Sequence, residues 1–157
     1  MEKYIQPFIS TCEKVFSEFC NTKVKANRIF FTTKDEFEGE WDISGVIGLS
    51  GQVTGAVAIS IKESTAKKIA NILTGKSYER MEADVTDAVG EIVNIIAGNV
   101  KKNFEDELRI KISLPSIIKG KAHMIIWPTE KTRIISVPFE IFKDEKFCLS
   151  VAIDPSK

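Results

Sequence analysis

The 157-residue chain has a single histidine, three cysteines and no long apolar run. The histidine, His123, has no second histidine or cysteine at ligand spacing, so the sequence predicts no metal site of its own. A Ser-His-Asp or Cys-His site would also need His123, and no G-x-S-x-G nucleophile elbow occurs. Cys12, Cys20 and Cys148 form no C-x-x-C pair and are expected to be reduced, partly buried thiols. These absences disfavour metal-dependent and nucleophilic catalysis by this chain alone.

The chain also lacks an excess of either charge, with 22 basic and 22 acidic residues. No run of like charge, and no alternation of basic with aromatic residues, indicates a nucleic-acid surface. The first residues, MEKYIQPFIS, do not form a basic segment followed by an apolar core, and no apolar run could cross a bilayer. We therefore predict a single cytoplasmic domain over residues 1–157 that binds neither nucleic acid nor membrane.

The periodicity of apolar residues in the first half predicts two helices with three strands between them. In chain order these elements are Tyr4–Phe19, Val24–Thr32, Trp41–Leu49, Gln52–Ile61 and Lys62–Leu73. Pro7 would lie in the first helical turn, where a missing N–H is harmless. A charged loop, Lys34–Glu40, is expected after the first strand. Ser50 and Gly51 would form a hairpin turn, and Gly75 would end the second helix.

The second half is predicted to start with a long helix and to end with three strands. These elements are Asp84–Phe104, Lys121–Trp127, Thr132–Phe142 and Lys146–Ile153. Asp84 is expected to cap the helix, with Asp87 three residues later completing a capping box. Pro128 would lie at a strand end and Pro138 at an edge or a bulge. The order αβββααβββ predicts an α+β fold in which a largely antiparallel sheet packs against the helices.

The long helix, DVTDAVGEIVNIIAGNVKKNF, has an unusual outer face. Its apolar residues recur at steps of three and four and form a core-facing side. The opposite stripe consists of Asp87, Glu91, Asn94, Gly98 and Lys101, with little of the bulk that a solvated helix carries. Gly90 and Gly98 each cost roughly 1 kcal/mol relative to alanine inside a helix, so a packing or contact reason is expected. The pattern predicts a docking surface.

Glu91 and Asn94 are three residues apart and therefore neighbours on this surface. Neither is a strong nucleophile, but an amide can orient a water molecule and a carboxylate can pair with a partner's lysine or arginine. Both roles suit a site whose other groups belong to another protein. On spacing alone, ordinary surface residues remain the alternative, because E-x-x-N is a weak pattern. Asn99, near the apolar face, is expected to hydrogen-bond to nearby backbone.

The segment DAVGEIVNIIAGNVKK resembles the signature helix of the CheC/CheX/FliY family of bacterial chemotaxis phosphatases, marked by D/S-x-x-x-E-x-x-N. Asp87, Glu91 and Asn94 have that spacing. The resemblance extends over nearly the whole chain, from a helix with a P-F start, through a strand block and a K-x-x-x-A-x-x-I/L helix, to the closing strands. The single E-x-x-N is most similar to the CheX branch.

The resemblance implies a phosphatase that hydrolyses the aspartyl-phosphate of a CheY-type response regulator. Asn94 would orient the attacking water, and Glu91 would pair with a lysine of the receiver domain. The further partner-binding residues would be Asp87, Gly90, Gly98 and Lys101. The chain would need no cofactor of its own, because the receiver supplies Mg²⁺, and it would form a homodimer. The alternative is a non-catalytic module that docks a receiver. A small-molecule enzyme is less favoured, because no pocket-forming set of ionisable groups is recognisable.

Overall fold

The computed structural model describes residues 2–32, 41–125 and 132–154. The helices are α1 (Glu2–Cys20), α2 (Glu63–Thr74) and α3 (Ala83–Asn103). The strands are β1 (Lys25–Ala26), β2 (Phe30–Thr32), β3 (Trp41–Gly51), β4 (Thr54–Ile61), β5 (Ile110–Ile112), β6 (Ser116–His123), β7 (Arg133–Ile141) and β8 (Glu145–Asp154). The predicted α+β class is confirmed. Across the described ranges, the helices are too short or too polar to cross a membrane.

The eight strands form one antiparallel sheet in the order β1-β7-β8-β4-β3-β5. Two strands lie off this path, because β2 pairs with β7 and β6 pairs with β3. β3 is long enough to pair on its outer side with two strands, β6 along residues 41–46 and β5 along residues 49–51. One edge of the sheet is therefore built from β5 and β6, and the other from β1 and β2.

Alternate residues of the central strands point towards the helices and form the core. Phe147 of β8 stacks on Phe16 of α1 with ring centroids 4.7 Å apart, and on Phe139 of β7 at 4.9 Å. Gly45 of β3 lies so close to α3 that an added Cβ would be 2.9 Å from Val93 Cγ1. The absence of a side chain at Gly45 thus allows α3 to lie directly against the sheet, with its opposite face outward.

The predicted strand Val24–Thr32 is divided into β1 and β2, and the register of their pairing with β7 changes between them. Pro138 of β7 lies opposite this interruption. Its carbonyl accepts a hydrogen bond from the Asn27 N–H at 2.8 Å, but proline has no N–H to return. The ladder that β7 forms with β1 and β2 is therefore interrupted at this position, while the ladder with β8 continues through it, which agrees with the expectation of a bulge at Pro138.

The first closing strand begins earlier than predicted. The strand predicted over Lys121–Trp127 is wrong in its bounds, because β6 spans Ser116–His123, and β5 adds a short strand before it. β6 is an edge strand exposed along nearly all of its length, so its apolar residues do not alternate with polar ones. In the described residues the order is αββββααββββ, with four strands in each half instead of the three predicted. The predicted loop Lys34–Glu40 and strand end at Pro128 lie outside the described residues.

Two local predictions also need correction. α1 begins at Glu2, so Pro7 lies in its second turn. β3 continues through Gly51, and the hairpin reverses at residues 52–53. Gly51 has a φ of 105°, and an added Cβ would collide with the Arg109 carbonyl oxygen, so only glycine fits. Gly75 ends α2 in the left-handed conformation, as predicted, and its N–H donates to the Asn71 carbonyl.

Candidate functional site

The predicted stripe on α3 is the outer face of this helix. Its opposite side is buried from Val85 to Val100 against the sheet and the other helices. Asp87, Glu91 and Asn94 are exposed, whereas Gly98 and Lys101 are half-buried. Since Glu91 and Asn94 lie three residues apart on one regular helix, their side chains leave the same surface. The structure therefore brings the two predicted catalytic residues together, and the remaining members of the stripe flank them.

The polar side chains of this stripe are available to an external ligand. Within the described ranges, no hydrogen bond or ion pair engages the side chains of Asp87, Glu91 or Asn94. An unpaired carboxylate offers acceptor oxygens only, whereas an unpaired amide offers both N–H donors and an acceptor oxygen. The pair can thus bind a cation and, beside it, a group such as water that both donates and accepts.

The N-terminus of α3 is held by Tyr78 and not by a capping box. Glu82 occupies the N-cap position and makes no side-chain cap bond. Asp84, predicted as the cap, lies inside the first turn, where its Oδ2 accepts a hydrogen bond from the Tyr78 hydroxyl at 3.0 Å. The Tyr78 N–H also donates to Asn71 Oδ1 of α2 at 3.1 Å. The predicted capping roles of Asp84 and Asp87 are therefore wrong, and the Asp87 carboxylate does not cap the helix.

The two glycines of α3 have different surroundings. Gly90 is buried, and an added Cβ would lie 3.5 Å from Ile117 Cδ1 and 3.9 Å from Pro115 Cγ. Its missing side chain makes room for this chain's own β6, which supplies the packing reason expected for this glycine. At Gly98, an added Cβ would meet no other atom within 4 Å in the described part of the chain. No side chain therefore projects from the surface at Gly98, one turn beyond Asn94.

His123 is engaged in hydrogen bonds that join strands. Its Nδ1 lies 2.8 Å from the Gly120 carbonyl oxygen, and its Nε2 lies 2.7 Å from Ser44 Oγ. Because a carbonyl can only accept, Nδ1 donates to Gly120, while Nε2 and the Ser44 hydroxyl share the second hydrogen bond. Ser44 is fully buried and also contacts Ser60 Oγ at 2.7 Å, so no substrate can reach it. Within the described ranges, no cluster of histidine, cysteine and acidic residues could hold a metal ion.

The cysteines are free and buried. Burial raises the pKa of Cys20 to about 11 and the pKa of Cys148 to about 12, and it raises the pKa of Cys12 as well. A neutral thiol is a poor nucleophile, so none of the three is poised for catalysis near neutral pH. Asn99, the remaining amide on the inner part of α3, donates to the Ile95 carbonyl at 2.9 Å, as predicted.

Comparison with known proteins places this helix and sheet in a defined family. Residues 43–140, more than half of the chain, match the family described as chemotaxis phosphatase CheX. The protein named CheY-P phosphatase CheX from Thermotoga maritima is 26% identical over 110 residues, which cover 69% of each chain.

Solved structures show the same fold. The chemotaxis protein CheX from Vibrio vulnificus is 25% identical, with a TM-score of 0.85 covering 96% of this chain and 99% of that one. The CheX subunit described in a complex with CheY, BeF₃ and Mg²⁺ from Borrelia burgdorferi is 23% identical, with a TM-score of 0.79 covering 96% and 97%. The match over residues 43–140 shows that this chain belongs to the CheX family of chemotaxis phosphatases.

Proposed function

We propose that this protein hydrolyses the aspartyl-phosphate of a CheY-type receiver domain, with Asn94 orienting water and Glu91 docking the receiver. One observation carries the proposal: Glu91 and Asn94 stand side by side on the exposed face of α3, with no side-chain partners in the described residues. The relative named CheY-P phosphatase and the fold neighbour solved with CheY support the choice of substrate.

Asn94 contributes orientation and not acid–base chemistry, because a neutral amide does not titrate near pH 7. Its carbonyl and N–H groups can hold one water molecule in line with the receiver's phosphoryl group. The water oxygen bonds to phosphorus while the bond from phosphorus to the aspartyl oxygen breaks, so the aspartyl carboxylate is the leaving group. The two protons of the water stay with the phosphate, which then dissociates. Positioning and electrostatics are the main contributions that proteins make to this reaction. The receiver supplies Mg²⁺, so this chain needs no metal of its own.

Glu91 fixes the docked geometry by pairing with a lysine beside the receiver's phosphorylation site. Such a charge-assisted hydrogen bond is strong and directional. It fixes the position of the receiver relative to Asn94, which lies three residues along the same helix. The low surface at Gly98 allows close approach past Asn94, and Asp87 and Lys101 complete the contact at either end of the stripe. No nucleophile of this chain enters the reaction.

The test of the activity is the decay of a phosphorylated CheY-type receiver in Mg²⁺ with substoichiometric amounts of this protein. Decay that accelerates, and continues through many equivalents of receiver, establishes a phosphatase that turns over. Unchanged decay with a measurable complex would replace the proposal with a non-catalytic docking module. Unchanged decay without a complex would remove the receiver as the partner.

Replacing Glu91 with glutamine is expected to raise KM for the phosphorylated receiver by about tenfold or more, because a desolvated ion pair is lost. The change keeps the shape and the helix and leaves Asn94 in place, so kcat should fall less than kcat/KM. Steady-state dephosphorylation of the receiver measures both. Glu107→Gln, at an exposed position beyond α3, removes the same charge and should behave as wild type. An unaltered KM in Glu91→Gln would assign docking to other residues.

We also propose that the protein forms a homodimer through β6. Among the described strands, β6 pairs only with β3, so its outer edge is open. Apolar side chains surround that edge, with Leu114 87% exposed and Met124 57% exposed, and Ile117 and Ile118 partly exposed. An open apolar edge strand is prone to pair with another chain, and two-fold pairing of identical β6 edges covers both of them at once.

Ile118→Lys is expected to convert the dimer into a monomer, because two lysines would face each other across the two-fold axis. Sedimentation velocity at micromolar concentration measures the change. Phe31→Lys, which places the same charge on β2 at the opposite edge of the sheet, should leave the dimer intact. Dissociation by Phe31→Lys instead would move the interface to β2, and a monomeric wild-type protein would overturn the dimer.

A further inference from the structure

A groove of about 450 Å³ runs beside the Glu91–Asn94 stripe, where the C-terminal ends of α1 and α2 meet the first half of α3. One wall is apolar and includes Phe19 of α1 and Leu73 of α2, with Ile95 of α3 near one end. The other wall is acidic, because α3 contributes Asp84, Asp87 and Glu91. We call this feature the acidic groove.

The apolar wall of the groove includes side-chain surface that is exposed to solvent. The last turn of α1 carries Phe19, whose side chain is 49% exposed. Large apolar side chains that remain open beside a groove mark interaction sites, and aromatic anchors supply much of the binding energy in interfaces. An apolar side chain of a partner would cover Phe19 and Leu73 together.

The acidic wall selects the charge of the occupant. Asp84, Asp87 and Glu91 follow one another at steps of three and four, so they form a row along α3. The Asp84 carboxylate already accepts the Tyr78 hydroxyl, which leaves Asp87 and Glu91 to attract a cation. Among the described residues, no lysine or arginine lines the groove to neutralise them. The groove therefore suits an apolar side chain with a lysine or arginine next to it.

Glu91 belongs both to the acidic groove and to the docking stripe, so the two surfaces are continuous. We propose that the acidic groove is a second contact for the phosphorylated receiver, and that it takes an apolar side chain flanked by a basic one from the receiver surface beside the phosphorylation site. This inference rests on the proposed function. It assigns Phe19 and Leu73 to the binding of the partner's apolar side chain. Asp87, which has no partner in the described residues, would bind the basic side chain.

Phe19→Ala tests the apolar wall. We expect KM for the phosphorylated receiver to rise about tenfold with kcat retained, because Phe19 lies outside the Glu91–Asn94 pair and acts only in docking. Phe19→Leu keeps an apolar side chain and should restore most of the affinity. Phe31→Ala removes a phenylalanine of similar exposure, 55%, from the far edge of the sheet and should leave KM unchanged.

Asp87→Lys tests the acidic wall. KM should rise about tenfold at low salt, and the difference from wild type should shrink as salt screens the charges. Asp106→Lys makes the same change of charge at an exposed position outside the groove, so it separates a local effect from the effect of net charge. Thermal unfolding of each variant shows whether the fold is retained.

Direct binding separates this inference from the proposed function. The probe is the receiver activated with beryllofluoride and Mg²⁺, titrated with each variant to obtain Kd. If wild type binds the probe without accelerating dephosphorylation, and Phe19→Ala and Asp87→Lys weaken binding, the groove contact stands and the phosphatase fails. If wild type is active while both variants bind and turn over normally, the groove contact is overturned. Weakened self-association in place of weakened receiver binding would assign the groove to a second copy, which also overturns it.

Discussion

Asn94→Ala is expected to reduce the acceleration of receiver dephosphorylation by on the order of a hundredfold or more, because the proposal assigns the orientation of water to this amide. The side chain is exposed and unpartnered in the described residues, so the free energy of unfolding should change by less than about 0.5 kcal/mol. Binding of the beryllofluoride-activated receiver should persist through Glu91. The measurement is the decay of phosphorylated receiver, paired with titration of the activated receiver.

Two further variants make this experiment specific. Asn94→Asp keeps the size of the side chain but replaces the N–H donors with a negative charge, which repels the phosphoryl group, so it should be inactive as well. Asn103→Ala removes an exposed asparagine from the last position of the same helix and should retain activity. Wild-type activity in Asn94→Ala would show that water is oriented by another residue.

Phe147→Ala is expected to cost about 3–5 kcal/mol of unfolding free energy, because it removes a large, fully buried ring. The ring joins two layers of the fold, since it stacks on Phe16 of α1 and on Phe139 of β7. A single domain of this kind is stable by only about 5–15 kcal/mol, so the loss is a large share of the total. Urea unfolding with linear extrapolation measures it.

The matched control is Phe31→Ala, which removes a half-exposed ring from an edge strand and should cost less than about 1 kcal/mol. A loss below about 1 kcal/mol for Phe147→Ala would mean that the neighbouring rings close the cavity. The result also concerns docking, because α1 carries both Phe16 in the core and Phe19 in the acidic groove. A loosened α1 should weaken receiver binding before the whole domain unfolds.

The outer stripe of α3 was predictable because helical periodicity depends on residue spacing alone. Glu91 and Asn94 face solvent wherever the helix lies, provided that its apolar side is buried. Helical periodicity does not predict the surroundings of the two glycines. Gly98 lies in open space, whereas Gly90 lies beneath Pro115 and Ile117. The cover over Gly90 comes from an edge strand more than twenty residues away in sequence, which no helical periodicity can reveal.

The capping prediction failed for a similar reason. Asp84 has the residue type and the position of an N-cap, but the chain enters the helix two residues earlier, at Glu82. The carboxylate is instead used by Tyr78, a residue of the loop between α2 and α3. A capping motif considers only backbone groups of the same helix turn. It therefore cannot predict a hydrogen bond to a tyrosine whose position depends on the packing of α2 against α3. The bounds of β6 were wrongly predicted because an exposed edge strand need not alternate apolar with polar residues.

By itself, the sequence determined the α+β class, the helices that begin and end the first half of the chain, and the exposure of Glu91 and Asn94 to solvent. Each of these depends on local spacing and composition. Only the tertiary structure decided which surfaces lie beside that pair. The acidic groove exists because three helix segments, from Phe19 to Ile95, converge on one face of the sheet. Convergence of this kind depends on long-range packing, such as the close approach of α3 to Gly45 of β3, which residue spacing does not reveal.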